Sequence, residues 1–208
     1  MATHTFVHFE HDEASALARL ASISFDLRST IQLCEYFEAQ CAAAEHGYPP
    51  SEIIDAFSTA ILVRYSRAFL TGVRRGLGED ALAVLSSTQR DNHERLRAFR
   101  DKHVAHSVNA FEDTKVQARY CEERVHTEGI TSVSAAHYRV MGLSSGDVED
   151  VADLCRTLTA YVDAESERER RRLLEFVRSM PPADVLSMPS SPTLAPDHSK
   201  IGKRRKRP

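Results

Sequence analysis

The sequence predicts a mainly α fold, a helical bundle containing two long amphipathic helices. Apolar residues recur every three or four positions over most of the chain, which is the period of a helix with one face on a core. Short runs rich in Gly, Pro and Ser separate these stretches and are typical of helix ends. With 208 residues and 42% hydrophobic composition, the chain can bury one sizeable core.

The first long helix is expected over about residues 10–46. Its apolar face steps by three and four positions and includes Leu20, Leu27, Ile31, Cys34, Phe37 and Cys41. Gly47-Tyr48-Pro49-Pro50 is expected to end it.

Two further helices follow. Ser51 is expected to cap the second, which residues 76–78 (Gly-Leu-Gly) should break. The third is expected over about residues 88–106, with Leu96 and Phe99 as its clearest core positions.

The pattern then changes. Between residues 114 and 141 apolar residues partly alternate, which predicts a short β-hairpin beside the bundle. From Val148 to Met180 the helical period returns, and Pro181-Pro182 should stop this final long helix.

The C-terminal residues differ in composition from the rest. Residues 181–208 contain six prolines and no apolar period, so we expect a disordered basic tail after a helical domain at residues 1–180. Six Lys/Arg and two Asp give the tail a net charge of +4, which leaves about −7 for residues 1–180. The domain is therefore not a general polyanion binder, and any RNA contact must come from local basic clusters.

Composition also indicates the compartment. The four cysteines show no Cys-x-x-Cys spacing, and no apolar stretch approaches the ~20 residues of a membrane span. We expect a cytoplasmic protein with reduced thiols and no membrane contact.

The main candidate for chemistry is the segment Phe99-Arg100-Asp101-Lys102-His103-Val104-Ala105-His106-Ser107. A His can transfer a proton near neutral pH, and an Arg can hold a phosphate with its planar donors. Arg100 and His106 have five residues between them, and Asp101 is a polar residue directly after the arginine.

This arrangement resembles the motif of HEPN domains, in which an Arg is followed by a polar residue and is separated from a His by four to six intervening positions. Residues 61–75, with Arg64, Arg67 and Arg74, and residues 105–112 resemble the abortive-infection (AbiU-like) branch.

The resemblance implies a metal-independent endoribonuclease, a toxin or phage-defence component without cofactors. Arg100 and His106 would be catalytic, and Asp101 would orient an arginine. His103, Ser107, Arg64, Arg67 and Arg74 would contact RNA. An antitoxin or other regulatory partner is also expected.

A homodimer is expected for two reasons. Helices near 35 residues span roughly 50 Å and would overhang a domain whose radius of gyration is ~16 Å, unless the last helix kinks around residues 165–172. On one helix Arg100 and His106 lie about 120° apart, so two motif helices related by a two-fold axis converge on a phosphate more easily.

Other interpretations remain open. His103 and His106, with His93 earlier, could suggest a metal site, but no carboxylate or cysteine has a convincing ligand spacing, so no metal is expected. The chain could instead be a HEPN-like module that binds RNA or a nucleotide without cleavage, or a dimeric structural or interaction protein.

Overall fold

A computed structural model describes residues 6–9, 11–47, 49–70, 75–101, 112–139 and 142–190. Its helices are α1 (Ser15–Ala43), α2 (Ser51–Arg67), α3 (Glu79–Leu82), α4 (Ser87–Phe99), α5 (Val125–Glu128), α6 (Ser145–Ser179) and α7 (Pro182–Leu186). Its strands are β1 (Glu112–Tyr120) and β2 (Ile130–Arg139). The mainly α fold, the two long helices and the hairpin are confirmed.

The two long helices α1 and α6 pack along each other. α6 starts with a capping box, in which the Ser144 side chain accepts from the Asp147 amide and the Asp147 carboxylate accepts from the Ser144 amide. Met180 is extended and precedes two prolines, which end the helix. Val151, Leu154, Cys155, Leu158 and Val162 of α6 form one buried stripe.

α6 runs as one continuous helix through residues 165–172, the stretch where the sequence left a kink open. Few residues of this stretch are apolar, and ion pairs between side chains one turn apart stabilise the helix there. Arg171 donates to Glu167 at 3.1 Å and Arg172 to Glu169 at 3.0 Å. Such pairs add a few tenths of a kcal/mol each to an exposed helix.

The N-terminal residues cover the far end of α6. The ring of Phe9 packs edge-on against Phe176 with centroids 6.3 Å apart, and the ring of His11 lies 5.1 Å from Phe176. Arg172 also pairs with Glu13. The overhanging end therefore has a partner within the chain, which weakens helix length as an argument for a homodimer.

Helices α2 and α4 complete the bundle. Phe37 of α1 packs on Phe57 of α2 with centroids 6.1 Å apart. α4 begins with a second capping box, which Ser86 forms with Gln89. The side-chain Nε2 of Gln89 also donates to Asp153 of α6 at 2.8 Å. The buried core combines residues of all four of these helices, including Ile23, Leu27, Ile61, Leu62, Leu96, Val151 and Leu158.

The second helix is shorter than predicted. It ends at Arg67, nine residues before the Gly-Leu-Gly expected to break it, and it begins at Ser51 with Pro50 before it, so Ser51 is not the cap. The chain turns back at this point, because the Leu77 amide donates to the Ala68 carbonyl at 2.7 Å.

The hairpin projects from the bundle. Val116 pairs with Ala135 and Ala118 with Val133 in an antiparallel ladder. The described side chains of both strands are exposed, apart from a half-buried Ala136.

The C-terminal region differs from expectation at its start. Residues 182–186 form α7, and the His8 amide donates to the Pro189 carbonyl at 2.7 Å. Residues 191–208, which hold the rest of the predicted tail, lie outside the described residues. None of the described helices is long and apolar enough to span a bilayer.

Candidate functional site

Arg100 lies at the C-terminal end of α4. The helix ends at Phe99, and Arg100 follows it as the C-cap with helical backbone angles. Arg100 Nη1 donates to Asp101 Oδ1 at 2.9 Å, and its side chain is mostly buried. Its Nε is buried without a hydrogen-bond partner in the described part of the chain. A guanidinium held on one side and partly open to solvent is suited to bind a phosphate.

The rest of the predicted motif cannot be placed beside it. His103, His106 and Ser107 fall within residues 102–111, and Arg74 within residues 71–74, which lie outside the described residues. The catalytic role of His106 therefore remains a prediction. Asp101 accepts a hydrogen bond from Arg100, as a carboxylate that orients the arginine would do. The role of Asp101 also remains a prediction.

Arg64 and Arg67, predicted to contact RNA, share one buried carboxylate. Asp26 of α1 is 1% exposed; its Oδ1 accepts from Arg64 Nη1 at 3.2 Å and forms an ion pair with Arg67, whose Nε lies 3.3 Å away. The arginine side chains remain 37% and 50% exposed. A buried carboxylate needs such partners, because an unpaired buried charge is costly. The two arginines therefore join α2 to α1 and still present charge at the surface.

A buried Tyr65–His93 pair lies between α2 and α4. Tyr65 Oη and His93 Nδ1 are hydrogen-bonded at 2.6 Å, and the Phe69 ring packs 4.5 Å from the imidazole. Burial lowers the pKa of His93, against the raising effect of Glu94, and raises the pKa of Tyr65. Both groups are therefore neutral at pH 7.

Sequence reasoning considered His93 only as a metal ligand and missed its pairing with Tyr65. A signal was present, because His93 precedes the core residue Leu96 by three positions and Arg100 by seven, which places all three on one face of α4. The motif arginine thus follows a buried polar pair by two turns.

Metal and thiol chemistry have little support within the described residues. No group of three or more His, Cys, Asp or Glu lies close enough there to hold a metal ion. All four cysteines are free, and burial raises the pKa of the Cys34 thiol to about 12. A buried thiol of this kind is unreactive.

No family model, curated protein or solved structure matches this chain. The resemblance to HEPN domains therefore rests on residues 61–75 and 99–112 of this sequence alone.

Proposed function

We propose that the protein is a metal-independent endoribonuclease of HEPN type, acting as a toxin or phage-defence component. The observation that carries the proposal is Arg100, a guanidinium at a helix end that is anchored by Asp101 and keeps part of its surface open. The arginine pair on Asp26 supports it with a second positive site.

Arg100 and His106 divide the chemistry. His106 takes the proton of a ribose 2′-hydroxyl or gives one to the leaving 5′-oxygen, while Arg100 stabilises the charge that develops on the phosphoryl oxygens. The products are a 2′,3′-cyclic phosphate and a 5′-hydroxyl. DNA lacks the 2′-hydroxyl and is not cleaved.

A homodimer completes the site in this proposal. His106 of one chain acts beside Arg100 of the partner chain, as the resemblance to HEPN domains implies. A regulatory partner, such as an antitoxin, keeps the enzyme inactive in the cell.

The test is cleavage of a mixed cellular RNA pool by the purified full chain in EDTA. Wild type is compared with Arg100→Ala, His106→Ala and the control Arg97→Ala, which removes an exposed arginine one turn earlier on the same helix. We expect cyclic-phosphate ends with wild type and Arg97→Ala, and a loss of about 10²-fold or more with the other two.

Equal activity of all four proteins would point to a contaminating nuclease and contradict the proposal. RNA binding without cleavage by wild type would instead favour the non-catalytic binding module. Expression in cells that lack the regulatory partner gives an independent measure, because wild type should arrest growth and His106→Ala should relieve the arrest.

The hairpin favours a second candidate, an interaction protein. Val116, Ala118 and Tyr120 of β1 share one face with Val133 and Ile130 of β2, and this face is exposed, with Val116 75% accessible. An isolated two-stranded hairpin is at best marginally stable, and exposed apolar patches often mark contacts with another molecule.

Val116→Lys separates the two candidates, with Gln117→Lys on the opposite face as its control. The interaction candidate expects that only Val116→Lys lowers the mass of the assembly in sedimentation. The ribonuclease proposal expects both variants to cleave RNA like wild type.

A further inference from the structure

An exposed aromatic ring lies beside the paired arginines. Phe25 is 62% exposed, although the next residue, Asp26, is 1% exposed. The Arg64 guanidinium carbon lies 5.8 Å from the centroid of the Phe25 ring, within cation–π distance. Phe25, Arg64 and Arg67, with Asp26 beneath them, are called the Phe25 patch below.

The Phe25 patch carries a net positive charge. Two guanidiniums and one carboxylate give the residues of the patch a formal charge of +1, and the arginine side chains are 37% and 50% exposed. The Arg64 guanidinium has five N–H donors, and its hydrogen bond to Asp26 occupies one of them. The shared carboxylate also holds the two arginines in place, which lowers the entropy lost when they bind an anion.

We propose that the Phe25 patch binds single-stranded RNA, one base stacking on the Phe25 ring while an adjoining phosphate binds Arg64 and Arg67. This inference rests on the proposed RNA function and adds to it a contact residue, Phe25, and a preference for unpaired strands. Aromatic rings stack on bases of any sequence, and arginine contributes both cation–π and phosphate contacts.

The preference for single strands follows from stacking. In a duplex each base is already stacked between its neighbours, so no base face is open to Phe25. Stacking and phosphate contacts do not read the 2′-hydroxyl, so single-stranded DNA of the same sequence also binds. Because DNA is not cleaved, it measures binding independently of catalysis.

The experiment is fluorescence anisotropy of the full chain with a short labelled DNA single strand, its RNA equivalent in the His106→Ala background, and the corresponding DNA duplex. Wild type is compared with Phe25→Ala, Phe25→Tyr and the control Tyr120→Ala. Tyr120 is an exposed aromatic of similar accessibility on the hairpin. Phe25 is exposed, so its replacement leaves the core intact.

We expect Phe25→Ala to weaken single-strand binding about 5- to 100-fold, the range for one lost base–aromatic stack. Phe25→Tyr and Tyr120→Ala should bind like wild type, and the duplex should bind more weakly than the single strand. Arg64→Ala should also lower the dependence of affinity on salt by about one unit of slope.

Three results would overturn the inference: single-strand binding by Phe25→Ala at the wild-type level, an equal loss with Tyr120→Ala, or a duplex bound as tightly as the single strand. These outcomes are separable from the ribonuclease test. If wild type cleaves RNA but Phe25→Ala binds single strands as tightly as wild type, only this inference is wrong. If binding depends on Phe25 but wild type cleaves no RNA, only the proposed catalysis is wrong.

Discussion

Tyr65 of α2 and His93 of α4 form a 2.6 Å hydrogen bond in the interior of the bundle, where both side chains are fully enclosed. The other imidazole nitrogen, Nε2, is buried without a hydrogen-bond partner among the described residues, and Glu94 Oε1 lies 3.9 Å away. The pair therefore links two helices through the side-chain hydrogen bond that His93 makes within the described part of the chain.

We expect Tyr65→Phe to destabilise the fold by about 1–3 kcal/mol. It removes the phenol oxygen and leaves His93 Nδ1 buried without a partner, which costs the desolvation of that group. Urea unfolding measures the change, and Tyr120→Phe on the exposed hairpin should stay within about 0.5 kcal/mol of wild type. Equal effects of both substitutions would mean that the Tyr65–His93 bond contributes nothing.

The same histidine predicts a loss of stability in acid. Burial lowers the pKa of His93 below its ordinary value of 6.5, so below that pH the unfolded chain binds a proton that the folded chain does not. The stability that the neutral, buried His93 contributes to the fold is fully present above pH 6.5. It falls by up to about 1.4 kcal/mol per pH unit as the pH drops from 6.5 towards the pKa of His93 in the folded chain.

The measurement is the difference in unfolding free energy between wild type and His93→Gln. It should be constant between pH 7.5 and 8.5, and should shrink between pH 6.5 and 5.5. A difference that is the same at acid and neutral pH would show that His93 takes up its proton equally in both states.

The fold and the site differ in how far they could be predicted. Helical period and proline stops located α1 and α6, because burial of one face leaves a local pattern. The end of α2 was missed because Ala68 and Phe69 continue its apolar pattern while a tertiary turn interrupts the helix. The partner of Arg64 and Arg67 is 38 or more residues away in sequence, although Asp26 was detectable as a charged residue in the buried stripe of α1.

The Asp26 cluster predicts an asymmetry between its partners. Removing both arginines takes two positively charged partners from a buried carboxylate, so Arg64→Ala/Arg67→Ala should cost about 3–5 kcal/mol. Asp26→Asn leaves two half-exposed guanidiniums that water can solvate, so it should cost only about 1–2 kcal/mol.

Chemical denaturation of these variants checks the asymmetry, with Arg28→Ala as a control. Arg28 pairs with Asp163 at 2.6 Å, but both side chains are about half exposed, so its loss should cost less than about 1 kcal/mol. If Asp26→Asn costs more than the double arginine variant, the contacts that the carboxylate makes matter more than the cost of keeping its charge buried without the two arginines. That result would contradict the predicted asymmetry.

Gly142 should tolerate substitution much less well than Gly47, although both glycines have a positive φ. Its φ is +81°, which side chains rarely adopt, and an added Cβ would meet the Ser58 hydroxyl and lie 3.0 Å from Ile54 Cγ2. Ser58 cannot easily move, because its hydroxyl accepts from the Leu143 amide at 2.8 Å.

Gly47 provides the comparison, because its φ is +75° but an added Cβ would meet nothing within 4 Å. We expect about 1–2 kcal/mol for Gly47→Ala from backbone strain alone and about 1–3 kcal/mol more for Gly142→Ala from the clash, both measured by thermal and urea unfolding. Equal costs at the two positions would show that the loop before α6 moves aside and that the Ser58–Leu143 contact does not fix it.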